Sequence, residues 1–358
     1  MRRPAFISIL SFVLPLSAQV TWTPQSSGTT LTLNSIYCPT AVICYADGAS
    51  GVLLKTTNGG TSWTTQNSGT TNALNSIFFT STSTGFATSK PGTVRKTTNG
   101  GTNWTVKFTF TGVQTGLNAI HFPKADSGWT VGENGTILRS TDSGNTWTAQ
   151  TSGTTNILYS TRFSDARTGW AVGSSGIILK TTNSGATWTP QTSGTLQSLR
   201  SVFFLNSTTG YIAGDSGILK TTNGGTAWTR NSTGIVGLLS IHFPITTTGY
   251  AVGASGRIAL TSNSGTVWSS QTSGTQSFSA VYSPDENTTF IVGTNGTILK
   301  NLGSTTSIKS RITTSLQSST TTPAWQSLYY LNTRVFDAQG RRFFFTPLSP
   351  THANSASH

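Results

Sequence analysis

Between residues 147 and 188 the apolar positions fall into short runs separated by turns. Leu158–Phe163 is the first run, and the polar loop Ser164-Asp165-Ala166-Arg167 divides it from the second, Gly169-Trp170-Ala171-Val172-Gly173. A tight turn at Ser174-Ser175-Gly176 leads to a third run, Ile177–Thr181, and a polar stretch then carries the chain to Trp188 and a fourth. Short apolar runs bounded by Gly and Ser predict strands. This stretch therefore predicts four antiparallel strands.

The same plan returns along most of the chain. Further first strands are predicted at Leu33–Cys38, Leu74–Phe79, Leu117–Phe122, Leu199–Phe204, Leu239–Phe243 and Phe278–Tyr282. The polar stretch before the fourth strand is nearly a copy each time: Lys55–Trp63, Lys96–Trp104, Arg139–Trp147, Lys180–Trp188, Lys220–Trp228 and Leu260–Trp268. Its tryptophans are spaced 41, 43, 41, 40 and 40 residues apart. A fixed period in this range means one supersecondary unit copied along the chain, and four antiparallel strands per unit is the pattern of a propeller blade. The seventh unit stops at Thr297-Ile298-Leu299-Lys300 with no Trp after it, while Val20-Thr21-Trp22-Thr23 supplies a spare fourth strand at the other end. The expectation is an all-β, seven-bladed propeller over residues 19–303, closed by the N-terminal strand, with Trp22 in the closing position.

The repeated stretch has the chemistry of a turn held by its own side chains. A hydroxyl and an Asn or Asp two residues later can accept bonds from nearby backbone N–H groups. These pairs are Thr56 with Asn58, Thr97 with Asn99, Ser140 with Asp142, Thr181 with Asn183, Thr221 with Asn223 and Thr261 with Asn263. Gly60, Gly101, Gly144, Gly185, Gly225 and Gly265 follow, where a positive φ is expected. Trp63, Trp104, Trp147, Trp188, Trp228 and Trp268 then return an apolar face to the sheet. We call this stretch the clasp; its expected role is structural.

The chain has 358 residues, with only 9% charged, 38 Gly, ten Trp and eighteen Phe. Aromatic residues in phase with the repeat exclude a disordered chain. Arg2 and Arg3 before the apolar Phe6–Leu16, with Ser17-Ala18 ahead of Gln19, predict a secretory leader over residues 1–18, too short to span a bilayer. The expected location is outside the cytoplasm, secreted or at the cell surface or periplasm. Cys38 and Cys44 lie at the ends of consecutive predicted strands, and in an oxidising compartment a disulfide between them is expected, the alternative being two free buried thiols. The net charge is +13, of which two units fall in the leader and a net four after residue 300. The modest excess left in the repeats favours an acidic or envelope-associated protein partner. Export argues against nucleic acid.

Residues 304–328 have the Ser/Thr-rich composition of a linker. Within 329–358, the patch Leu331–Arg342 resembles the end of type IX secretion sorting domains, without the Pro-Asn-Pro segment expected upstream.

Taken together, the clasps, the Gly-Trp/Tyr-Ala-Val-Gly strands at 169–173 and 249–253, and Gly-Thr-Ile-Leu-Arg/Lys at 135–139 and 296–300 resemble the Asp-box (BNR) propellers of the sialidase-like superfamily. Among these the chain is most similar to the photosystem II assembly/stability-factor-like family. The resemblance implies a non-catalytic, secreted protein-binding or assembly scaffold. It allows a photosynthetic role, whereas the sorting-like tail implies a surface protein outside photosynthesis. Asp-box propellers also include enzymes, so a glycan-binding or glycan-hydrolysing propeller is the alternative. That alternative needs paired carboxylates. The eight acids of the repeats, Asp47, Asp126, Glu133, Asp142, Asp165, Asp215, Asp285 and Glu286, read as turn residues, with Asp47, Glu133 and Asp215 in equivalent turns. The sialidase Phe/Tyr-Arg-Ile-Pro motif is absent. Carboxylates and arginines at the central mouth would favour the glycan reading; a mouth of Ser, Thr and Gly would favour the scaffold.

His121 and His242 occupy equivalent positions and need only the fold to explain them. Lys55, Lys96, Arg139, Lys180, Lys220 and Lys300 recur just before the clasps and read as solvated strand ends. Arg162, Arg200 and Arg257 break the repeat and are the candidate partner contacts. No catalytic residue, metal or cofactor is expected, and the chain is expected to be a monomer.

Overall fold

A computed structural model describes residues 20–110, 115–231 and 234–302. The leader, the Ser/Thr-rich stretch and the sorting-like patch lie outside the described residues. The predicted runs pair in chain order, each with the next, into seven four-stranded antiparallel sheets. The sheets are the blades, and the innermost strand of each packs against the innermost strands of its two neighbours.

Sequence pattern follows position in the blade. Second strands such as Gly169–Gly173 are buried at every residue, because blades cover both faces, so they read as unbroken apolar runs. Fourth strands such as Thr189–Gln191 are short and exposed. Innermost strands such as Leu158–Phe163 keep buried Leu158, Thr161 and Phe163 against the preceding blade, with half-buried residues between.

The innermost strand has an edge that no fifth strand covers. Side chains of the adjacent blade cover it instead: Ser35, Ser76, Ser160, Ser201 and Ser240 accept hydrogen bonds from the N–H groups of Ile77, Ile120, Val202, Ile241 and Val281. Asn34, Asn75 and Asn118 donate to the carbonyls of Leu74, Leu117 and Leu158. An unpaired edge invites foreign strands, and these bonds turn it inward to the ring itself.

Closure is by the N-terminal strand, with one correction. The pairing strand is Thr23–Gln25, not residues 20–23; Thr23 lies opposite Lys300 and Gln25 opposite Ile298. Trp22 precedes the strand, half-buried and edge-on to Tyr250 at 5.9 Å between ring centroids. The same offset holds elsewhere, Trp188 standing just before Thr189–Gln191. Each Trp ends its clasp, and its ring packs across the sheet face, leaving the pairing to the residues after it.

Candidate binding surfaces

The six clasps share one geometry. The first hydroxyl accepts the N–H of the glycine four residues on at 2.8–3.0 Å. The Asn or Asp Oδ1 accepts the N–H of the residue before the Trp at 2.9–3.0 Å. In the one Asp clasp, the Thr146 hydroxyl also donates to Asp142 at 2.7 Å, and these bonds hold its carboxyl down at about 2. The glycines have positive φ, +87° at Gly60 and +74° at Gly144. They also admit a neighbour: a Cβ at Gly60 would lie 2.7 Å from the Phe290 ring, and one at Gly144 would collide with Phe86. Each ring belongs to the preceding blade, so the glycine is where one blade docks on the next.

The members of the clasp do not share one environment. The hydroxyls of Thr56, Thr97, Thr181, Thr221 and Thr261 are buried, whereas Asn58, Asn99, Asn183, Asn223 and Asn263 are exposed, as Asp142 is. Each of these asparagines accepts the buried hydroxyl's proton at Oδ1, at 2.9–3.0 Å. They fasten the turn from its solvent side and add nothing to the core. The physical reason is that an amide side chain bonded only to its own loop has no need to leave water.

The repeated cations complete the docking of blade on blade. Lys55, Lys180, Lys220 and Lys300 donate to the carbonyls of Gly100, Gly224, Ser264 and Gly59 in the following clasp, at 2.6–2.8 Å. Lys96 donates to the Ser143 carbonyl and to Asn145. Each ammonium also lies 5.3–5.8 Å from the centroid of an aromatic ring on its own second strand. Among the described residues Arg139 keeps only the ring contact, 5.4 Å over Trp129 of its own blade. The five lysines are therefore ties between blades, not the solvated strand ends that the sequence suggested.

Where the ring closes, the repeat gives way. In blades two to six a Phe at or near the end of the innermost strand lies over a glycine at or near the start of the second, as Phe163 does over Gly169. That Phe stacks on the preceding blade's aromatic and meets its own clasp Trp edge-on: Trp129–Phe163 is 3.8 Å and Phe163–Trp188 is 5.9 Å. Blade one puts Cys38 and Cys44 at these two positions, joined as a disulfide. Blade seven puts Ser283 and Thr289 there, hydrogen-bonded at 2.9 Å. Asn301 replaces the clasp hydroxyl and donates to the Thr21 carbonyl.

The acids do not converge. Glu133 pairs with Lys90 and accepts the Gly116 N–H, which lowers its pKa, and Asp215 pairs with Arg200 at 3.0 Å. Asp165 and Asp285 accept the backbone N–H groups of their own loops. Asp47 corrects the sequence reading: it lies within a second strand, opposite Ser35 and wholly buried, where Val172 and Val292 stand in other blades. Among the described residues neither carboxylate oxygen has a well-formed hydrogen bond; burial pushes the group well above the usual carboxylate range, and the nearby backbone N–H groups of Asp47 and Ser35 offset this only in part. Among the described residues no group of His, Cys, Asp and Glu has the arrangement of a metal site.

The three candidate arginines are not brought together. Arg257 is half-buried at a strand end and donates to the Val236 carbonyl. Arg200 lies over Tyr159, centroid distance 4.5 Å, near the start of the innermost strands. Arg162 is three residues further along than Tyr159, about 10 Å at strand rise. It belongs to a ring that sequence reasoning missed. Tyr37, Phe78, His121, Arg162, Phe203, His242 and Tyr282 occupy one position of the seven innermost strands. Successive contacts run around the axis: Tyr282–Tyr37 4.8 Å, Tyr37–Phe78 4.6 Å, Phe78–His121 5.2 Å, Arg162–Phe203 4.6 Å, Phe203–His242 5.0 Å and His242–Tyr282 4.6 Å. The signal was available in His121 and His242, whose shared position marks the level of the ring. At this level the axis matches neither expected pattern, being mostly aromatic with one cation, while the Ser and Asn residues and Arg200 stand nearer the start of the same strands.

Residues 143–234 match the model of the family described as photosynthesis system II assembly factor YCF48. No curated protein sequence matches the chain. Two solved YCF48 structures share its fold with a TM-score of 0.67. One, bound to a D1 peptide, is 18% identical over 78% of this chain and 96% of its own; the other, from Cyanidioschyzon merolae, is 17% identical over 78% and 98%. The WD40 propeller domain of Doa1 is similar at a TM-score of 0.66 and 9% identity, over 81% of this chain and 99% of that domain. The resemblance to the assembly-factor propellers seen in the clasps is thus supported by the family match and by the fold.

Proposed function

We propose that this propeller is a non-catalytic protein-binding scaffold of assembly-factor type, acting outside the cytoplasm after removal of its leader. The observation that carries the reading is the match of residues 143–234 to the YCF48 family. The peptide-bound YCF48 structure of like fold supports it. The distribution of charge agrees: among the described residues the repeated lysines bond to carbonyls of the neighbouring blade, Glu133 and Asp215 pair with Lys90 and Arg200, and no two carboxylates are seen facing one another as glycoside hydrolysis requires. The partner is expected to be acidic, in keeping with the positive excess of the repeats.

The test is a peptide array probed with the full chain, run beside fluorogenic sialosides and a glycan array. Binding to a defined set of peptides without hydrolysis is the expected result. Turnover of a sialoside, or glycan binding with no peptide bound, would overturn the proposal in favour of the glycan-directed alternative.

A further inference from the structure

We propose that the axial channel is a receptor for a carboxylate monoanion, held by the Arg162 guanidinium with the Nε2–H groups of His121 and His242. Arg162 offers five N–H donors and no acceptor. Its one close contact is the face of Phe203, and among the described residues it makes no hydrogen bond or ion pair. Asp165, the acid nearest to it in sequence, is engaged by the N–H groups of Arg167 and Thr168. The titratable groups that bear on Arg162 are the neutral hydroxyls of Tyr37 and Tyr282 and the neutral rings of His121 and His242, and burial lowers its pKa. Arg162 is half-buried with its guanidinium open to the channel, and a cation so placed with no counter-charge is one that an anion can pair.

The histidines supply further donors. His121 Nδ1 accepts the Phe163 N–H and His242 Nδ1 accepts the Ser283 N–H, each across the blade boundary. An imidazole that accepts at Nδ1 and is neutral carries its proton on Nε2. Burial and the Arg162 charge keep both rings neutral, His242 down at about 3. Neither Nε2 has a partner among the described residues. The ring thus presents one positive charge and a set of N–H donors with no acid to receive them. A planar, singly charged carboxylate matches the guanidinium fork and leaves the site neutral. A free small acid and a side chain or terminus of a bound peptide share this chemistry.

Long-range ¹H–¹⁵N NMR of the full chain reads the site directly. Both histidines should show the Nε2–H tautomer, and sodium acetate, compared with sodium chloride at equal ionic strength, should shift those signals saturably. A second arm uses a terminally blocked peptide with a single Glu. A response to acetate identifies an open site for free acids; a response to the peptide alone identifies an acid presented by a chain. Arg162→Met should weaken the response at least about tenfold, or ~1.4 kcal/mol, while Arg162→Lys retains part of it and shows that loss is not misfolding. Nδ1–H tautomers, equal shifts with chloride, silence in both arms, or an undiminished response in Arg162→Met would each overturn the proposal.

Discussion

The clasp ring and the axial ring are both built by placing one residue per blade at an equivalent position, yet they differ in what they repeat. In the clasps the residues are nearly the same six times over, because each must fit the preceding blade: the glycine admits a ring, and the carbonyl of the residue before it takes a lysine. At the axis the residues meet mainly one another, and Tyr, Phe, His and Arg all serve. Repetition in this molecule marks contacts that hold blades together. Departure from it marks places where the ring is closed or where something else is recognised.

Three substitutions test that division. The largest effect is expected in the repeated set. Trp188→Ala removes a side chain that is 8% exposed and lies edge-on to Phe163, and should cost about 3–5 kcal/mol in denaturant melts. A loss below about 1 kcal/mol would remove the clasp Trp from the list of blade anchors.

Asp47 is a departure away from the axis, and its replacement should have the opposite sign. Its raised pKa means that the native state holds a proton that the unfolded chain has released, so stability falls as pH rises above the unfolded carboxylate value. Asp47→Val should therefore stabilise by about 1–3 kcal/mol at neutral pH, and by less in acid where both states are protonated. Urea melts at the two pH values give the comparison; a pH-independent difference would mean that the carboxylate has found a partner.

The smallest effect is expected from one tie among several. Lys55→Met keeps the stem against Tyr45 but loses the bond to the Gly100 carbonyl, and its partial exposure limits the cost to about 1 kcal/mol. A double-mutant cycle with Tyr45→Phe, whose hydroxyl donates to the same carbonyl at 2.9 Å, should show coupling between them. Additive losses would mean that the two bonds act separately.

The seven blades and their closure were legible because the period of Trp and the alternation of short runs are local signals. The clasp bonds were legible for the same reason, joining residues two to four apart. Which clasp side chain is buried was not legible: Thr56 and Asn58 are both small and polar, and only the packed neighbour blade separates an inward hydroxyl from an outward amide. The lysine ties were hidden too, since each acceptor lies 44 to 47 residues on, or 241 back for Lys300. Asp47 was misplaced because it sits beside Gly48 where the strand runs into its turn, and a polar residue there reads as part of the turn. The axial ring was hidden by its variety: Tyr37, Phe78 and Phe203 look like ordinary core aromatics until the innermost strands are superposed. Arg162 was singled out as an interruption of the repeat, but only the fold shows its neighbours.

The closing strand carries a consequence for synthesis. A ribosome delivers Thr21 with 280 residues still to come before Asn301, to which its carbonyl is bonded. Throughout that interval the strand beside it has nothing to pair with, and an apolar strand in that position would be a template for aggregation. Thr23-Pro24-Gln25 is a sequence that can wait: three residues, none of them an apolar β-former, with Pro24 offering no N–H to a stray edge. The same three residue types form the fourth strand Thr189–Gln191, so a sequence suited to a blade's exposed outer edge also serves a piece that must stay unpaired until the last blade is made.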